Sequence, residues 1–268
     1  MKRKIKNKNK SLKRFNKKLL ILLLLLILFV IIILIIVNRK EIKDFLIPIY
    51  NVEDRTKDVE KYKKKKNSNV IGWVKVQGTN IDMPITSTVE TGLENFAWIN
   101  EYNGKFQDYI PIFGHNFRNV GYRPIVGDNK MQRFEQLLSF VYSDFANKNK
   151  YFQVTINGKN YLYQIYAVSF VYENGLNYKY EKLPSDVKKE YIDNALKESI
   201  YKYDVDVTKN DSLAALYTCT RLIGPNHSYL KVDGKLVKNS NKGYNYDMHE
   251  KKGYKKIKKL LEGDGEDV

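Results

Sequence analysis

Leu19 to Val37 (LLILLLLLILFVIIILIIV) carries no polar side chain. At about 1.5 Å of rise per residue, such a run nearly spans a hydrocarbon core of about 30 Å. It predicts a transmembrane signal anchor over 19–37. A cleaved leader has a shorter apolar core and a small-residue cleavage site, whereas Asn38-Arg39-Lys40 follow here. Ile42, Phe45, Leu46 and Ile49 then recur at helical spacing, with Pro48 interrupting. Residues 38–68 therefore read as a partly helical stalk that lifts a domain off the membrane.

From Val70 the period changes. Val70–Val76 and Ile81–Ile85 are strand-like around the turn Gln77-Gly78-Thr79-Asn80. Ile110–Gly114 is a short apolar strand leading into His115. Met131, Phe134, Leu137 and Leu138 have helical spacing and predict a short helix within 131–149. Tyr151–Ile156 and Lys159–Val168 flank Asn157-Gly158, the dipeptide that supplies the positive φ angles of a type I′ hairpin. Ser185–Tyr203 reads as a helix, and Ser212–Cys219 and Ser228–Val237 as two more strands. The sum is a mainly β domain over 69–237 with two or three helices. Residues 238–268 form a polar tail with an acidic end, in which Gly253–Leu261 reads either as a short basic helix or as disordered chain.

Charge sharpens this picture. The 268 residues carry 47 Lys and Arg against 30 Asp and Glu, a net +17. Ten of those cations and no acid lie in residues 1–18, so the excess belongs mostly to one tail and argues against a nucleic-acid surface. The positive-inside rule places that tail in the cytoplasm and everything after Asn38 outside. Anionic headgroups suffice to hold it. The lysine run 63–66 reads as a solvated linker.

The chain has one cysteine, which excludes an internal disulfide and a cysteine-based zinc site. That residue, Cys219, ends the apolar run in LYTCTR. A thiol attacks as thiolate and needs a lowered pKa or a basic partner. Three histidines are available. His249 lies in the polar tail and reads as surface. His115 stands at a strand end, where active-site side chains project. His227, in the loop GPNHS, follows the cysteine strand. Taken alone, Cys219 fits a small buried hydrophobe as well as a nucleophile.

Several segments taken together resemble the sortases, membrane-anchored cysteine transpeptidases of Gram-positive bacteria. Leu216-Tyr217-Thr218-Cys219 is similar to their Thr-Leu-x-Thr-Cys signature, and Gly114-His115-Asn116 to the segment that carries their histidine. Ile71–Val76 followed by Gly78–Ile85 resembles their opening strand pair. The helix just before the cysteine strand, and the anchor, resemble class B. The resemblance covers roughly residues 69–237. It implies an eight-stranded β-barrel, His115 and Cys219 as catalytic partners, and an Arg completing the site. It also implies secreted proteins with a C-terminal sorting signal as substrates, and peptidoglycan or its precursor as amine acceptor. Neither metal nor cofactor is implied.

The chain departs from the family pattern at three places. The leading Thr of the signature is Ala215. The segment Asn103–Tyr109 replaces a longer strand and loop. The strand after the cysteine, Ser228–Val232, holds no Arg. Arg221, two positions past Cys219, faces the same side if the chain stays extended, and is the expected third catalytic residue. His227 and Tyr229 are the alternatives at the family position, and Arg118 and Arg123 are more remote ones. The missing Arg also motivates a second reading, a sortase-fold module of weak or no activity that binds sorting signals or wall material.

Overall fold

Every second residue along the predicted strands points to a common interior. Val74 and Val76, Ile110 and Ile112, Phe152, Val154 and Ile156, Ala214 and Leu216, and Leu230 and Val232 meet in one buried cluster. Period-two burial of this kind closes a sheet around its own side chains. In a computed structural model that describes residues 20–34, 47–88, 96–121, 123–127, 130, 132–175, 181–224 and 228–263, the sheet closes into an eight-stranded barrel ordered β10-β7-β6-β2-β3-β4-β5-β9. Its strands are β2 (Val70–Val76), β3 (Asp82–Thr86), β4 (Ala97–Trp98), β5 (Tyr109–Gly114), β6 (Tyr151–Ile156), β7 (Lys159–Tyr172), β9 (Leu213–Thr220) and β10 (Ser228–Leu236). Short strands β1 (Tyr50–Asn51) and β11 (Lys242–Gly243) pair beside it, as do β8 (Tyr201–Tyr203) and β12 (Met248–Glu250).

The β6–β7 turn is the predicted hairpin: Asn157 has φ 53° and Gly158 φ 69°, and Ile156 pairs with Lys159. Two pairings are parallel, β3 with β4 and β5 with β9. The second sets the site, because it brings the ends of two distant segments to the same edge.

Helices differ from expectation in their limits. Residues 135–148 form a 3-10 turn (Glu135–Val141) and then a short α-helix, Ser143–Lys148, broken at Tyr142 where ψ is 123°. All seven residues of the 3-10 turn are buried, so the segment has no solvent face. Met131 lies outside the described residues. The helix before the cysteine strand runs over Ser185–Glu198 and stops five residues short of Tyr203. The Ser199 hydroxyl accepts the Val168 N–H at 3.1 Å and donates to Tyr201 O at 2.7 Å, turning the chain into β8.

The chain divides into two units, Met1–Ile47 and Pro48–Val268. In the second unit, Thr56–Lys65 is helical and buries Val59 against Val70, Trp73 and Phe96. Toward the C-terminus, Tyr254–Glu262 forms a helix whose Tyr254 and Ile257 join the barrel core. In the first unit, residues 20–34 are helical with exposed apolar side chains. Among the described residues no helix is long and apolar enough to cross a membrane. Residues 1–19 and 35–37, which hold the basic tail and the ends of the expected span, lie outside the described residues.

Candidate active site

The outer face of β5, β9, β10 and β7 is built in rows. Tyr109, Phe113, Leu213, Ala215 and Tyr217 lie on it and pack beneath Ile192 and Ala195 of the Ser185–Glu198 helix. Phe113 pairs with Tyr217, Tyr217 with Lys231, and Lys231 with Ser169. Two residues further along each strand, the same face carries the next row. There Cys219 pairs with Tyr229 and Tyr229 with Val171. His115 follows β5 directly, two positions beyond Phe113. The row therefore reads His115, Cys219, Tyr229, Val171 across four adjacent segments.

Side chains extend the β5–β9 connection past its last ladder pair. The Thr218 hydroxyl donates to Gly114 O at 2.9 Å, and Asn116 Nδ2 donates to Cys219 O at 2.9 Å. Asn116 is buried and also accepts the Asn119 N–H through Oδ1 at 3.0 Å. Asn119 in turn holds Ile125 and Glu135 through their backbones. Buried Glu135 accepts the backbone N–H groups of Arg118 and Gln132. The loop after His115 is thus braced by amide and carboxylate groups whose hydrogen bonds are made internally, as buried polar groups require.

Gly114 has a local reason of its own. A Cβ there would stand 2.1 Å from the Phe134 ring, while the Phe134 N–H donates to His115 O at 3.2 Å. Phe134 grips the histidine's backbone and covers the residue before it. The His115 ring is held from the sides: Trp98 lies 4.6 Å away between ring centroids and Phe117 5.2 Å. Trp98 stacks on Phe113, and Phe113 on Tyr217, so the imidazole stands at the end of an aromatic file.

Cys219 is half-buried. Burial pushes its thiol above the ordinary value; its own backbone pulls down, the Glu173 charge pushes up, and a side-chain hydrogen bond with Tyr229 pulls down.

Arg221 stands outside this row. Strand β9 ends at Thr220, so the two-residue alternation does not carry through to it. Its N–H donates to Val120 O at 2.8 Å, its carbonyl accepts the Gly224 N–H, and its side chain is exposed. Arg118 reaches Glu135 at 3.4 Å, and the Arg123 guanidinium fills the space beside Gly263. His249 is exposed on β12, paired with Lys202. His227 lies outside the described residues. Trp98, Asn116 and Glu173 were not singled out from sequence. Asn116 had a signal, its place directly after His115; Trp98 and Glu173 arrive from distant segments and had none.

The arrangement sets a thiol, the segment of an imidazole and a phenol in one row at a sheet edge. That suits acyl transfer. No family model matches the sequence. Sortase B of Staphylococcus aureus is 24% identical over 188 residues, covering 65% of this chain and 72% of that protein. Sortase B of Listeria monocytogenes is 25% identical over 206 residues, 70% and 77% respectively. Among solved structures, Clostridium perfringens sortase B superposes with a TM-score of 0.55 at 24% identity, covering 67% of this chain and all of that one. A Staphylococcus aureus sortase B–substrate complex gives 0.55 at 17% identity, covering 78% and 91%. These relatives, together with the eight-stranded barrel, support placing the chain with the sortases, as a class B-like cysteine transpeptidase.

Proposed function

We propose that the protein cleaves the C-terminal sorting signal of secreted proteins after a Thr and joins the new carboxyl end to a cell-wall amine, with Cys219 as nucleophile and His115 as acid and base. The observation that carries this reading is the row in which the His115 segment and Cys219 meet across the parallel β5–β9 pair. Cys219 Sγ, once deprotonated, attacks the Thr carbonyl. The carbon–nitrogen bond breaks and protonated His115 gives its proton to the leaving amine. The thioester left on Cys219 is attacked by the incoming amine, whose proton passes to His115 as the thiolate departs.

The apolar run 19–37 behind a basic tail supports an anchored protein with its catalytic domain outside the cell. On this reading, residues 1–18 are the cytoplasmic tail. Residues 38–68 lead to the catalytic domain over 69–237, and 238–268 follow it.

The test is product analysis with the full-length chain in detergent, a sorting-signal peptide and an excess of an amine such as triglycine or diaminopimelate. The expected product is the amide of the amine with the peptide ending in Thr, absent in Cys219→Ala and His115→Ala. Free acid as the sole product under excess amine would make the protein a hydrolase. Peptide bound but intact would make it a binding module.

A further inference from the structure

The row through the nucleophile holds no arginine. The position directly opposite Cys219 on β10 is Tyr229, and β10 continues with Leu230 and Lys231. Directly opposed residues of an antiparallel pair put their Cβ atoms about 4.5–5.5 Å apart on one face, close enough for a phenol to reach a neighbouring sulfur. Burial pushes the Cys219 thiol up most, and hydrogen bonding to the Tyr229 side chain is among the influences that pull it down. On its other side Tyr229 is flanked by Val171, an apolar neighbour of the buried cluster beneath the helix, and the residue is itself half-buried. Arg221, the nearest arginine in sequence, begins a turn with its side chain exposed.

We propose that Tyr229 is the third catalytic residue, its phenol O–H donating to the sulfur of Cys219 and, once attack has occurred, to the oxygen of the carbonyl bonded to that sulfur. The inference rests on the transpeptidase reading above for its second half only. The contact with the thiol stands without a substrate. No proton leaves the phenol in either role. It donates one neutral hydrogen bond, where a guanidinium would bring a full charge and a fork of donors. A neutral donor favours the thiolate less than a cation does, which agrees with a thiol held above its ordinary value. It also brings no positive charge of its own to the row, where an arginine at this position would.

The test compares the parent with Tyr229→Phe, Tyr229→Arg, Arg221→Ala and His227→Ala, all full-length in detergent and checked for equal thermal unfolding. Two readouts are taken: the pH dependence of Cys219 alkylation by iodoacetamide, which needs no substrate, and kcat and KM for peptide cleavage. Tyr229→Phe should move the alkylation profile to higher pH and lower kcat by about tenfold or more, with KM within about twofold. Tyr229→Arg should move the profile to lower pH and retain turnover well above that of Tyr229→Phe. An unmoved alkylation profile in Tyr229→Phe would overturn the proposal. So would a larger loss of kcat in Arg221→Ala or His227→Ala than in Tyr229→Phe. If the parent cleaves no peptide, the transpeptidase reading fails on its own, and the alkylation profiles still decide whether Tyr229 serves the thiol.

Discussion

Asn116 donates its side-chain amide to the carbonyl oxygen of Cys219 at 2.9 Å. The residue after the histidine therefore holds the backbone of the cysteine, and the His115 and Cys219 segments are tied to each other by a partly buried hydrogen bond as well as by the ladder.

Asn116→Ala removes that bond and the one to the Asn119 N–H, leaving buried partners unsatisfied. Such losses cost about 1–3 kcal/mol each at most. The expected result is a lower Tm together with a fall in kcat of about tenfold or more, because both His115 and Cys219 shift. Asn116→Asp keeps the acceptor for Asn119 and loses the donor to Cys219, so it should lose activity at least as strongly. Thermal melts and peptide cleavage check both.

Gly114→Ala should destabilise the fold, since the new Cβ would meet the Phe134 ring 2.1 Å away. Overpacking of this kind costs about 1–3 kcal/mol. Removing the opposing ring relieves the closest contacts: the double variant Gly114→Ala with Phe134→Ala should be less destabilised than the sum of the single changes. A double-mutant cycle by denaturant unfolding measures the coupling, and simple additivity would show that the ring does not set the glycine.

Glu173 pushes the Cys219 thiol upward. Glu173→Gln should therefore lower the thiol's pKa. Because the acid form ionises more readily, the alkylation profile moves to lower pH and the rate near neutrality rises. Glu173 is exposed and its charge is screened, so the rise should be a few-fold and should shrink in high salt. A slower reaction in Glu173→Gln would contradict the sign.

Trp98 packs 4.6 Å from His115 between ring centroids. Trp98→Ala frees one side of the imidazole, and kcat is expected to fall more than KM changes. Trp98→Phe should restore much of the loss. Steady-state cleavage kinetics separate the two variants, and equal activity in both would mean the ring is held by other contacts.

The barrel was legible wherever alternation and turn chemistry agreed. Asn157-Gly158 specified its hairpin, and Val70–Val76 and Ile110–Gly114 their strands. Cys219 and His115 were legible as residues of a motif, but their row was not, since it depends on the parallel β5–β9 register between segments about a hundred residues apart. The end of the helix at Glu198 was hidden because Ile200, Tyr201 and Tyr203 are as apolar as a further helical turn. A hydrogen bond from the distant Val168 N–H to Ser199 stops it. The C-terminal segment looked polar because only Tyr254 and Ile257 of its helix are buried. The place of Arg221 followed from the length of β9, one residue too short for alternation to reach it.

The central claim is a thioester on Cys219. Its most direct test is the intact mass of the full-length chain in detergent, acid-quenched after brief incubation with a pool of sorting-signal peptides. The account predicts a mass increase equal to the part of one peptide ending in Thr, absent in Cys219→Ala and discharged by hydroxylamine. A folded chain that shows neither adduct nor cleavage with any peptide would contradict it.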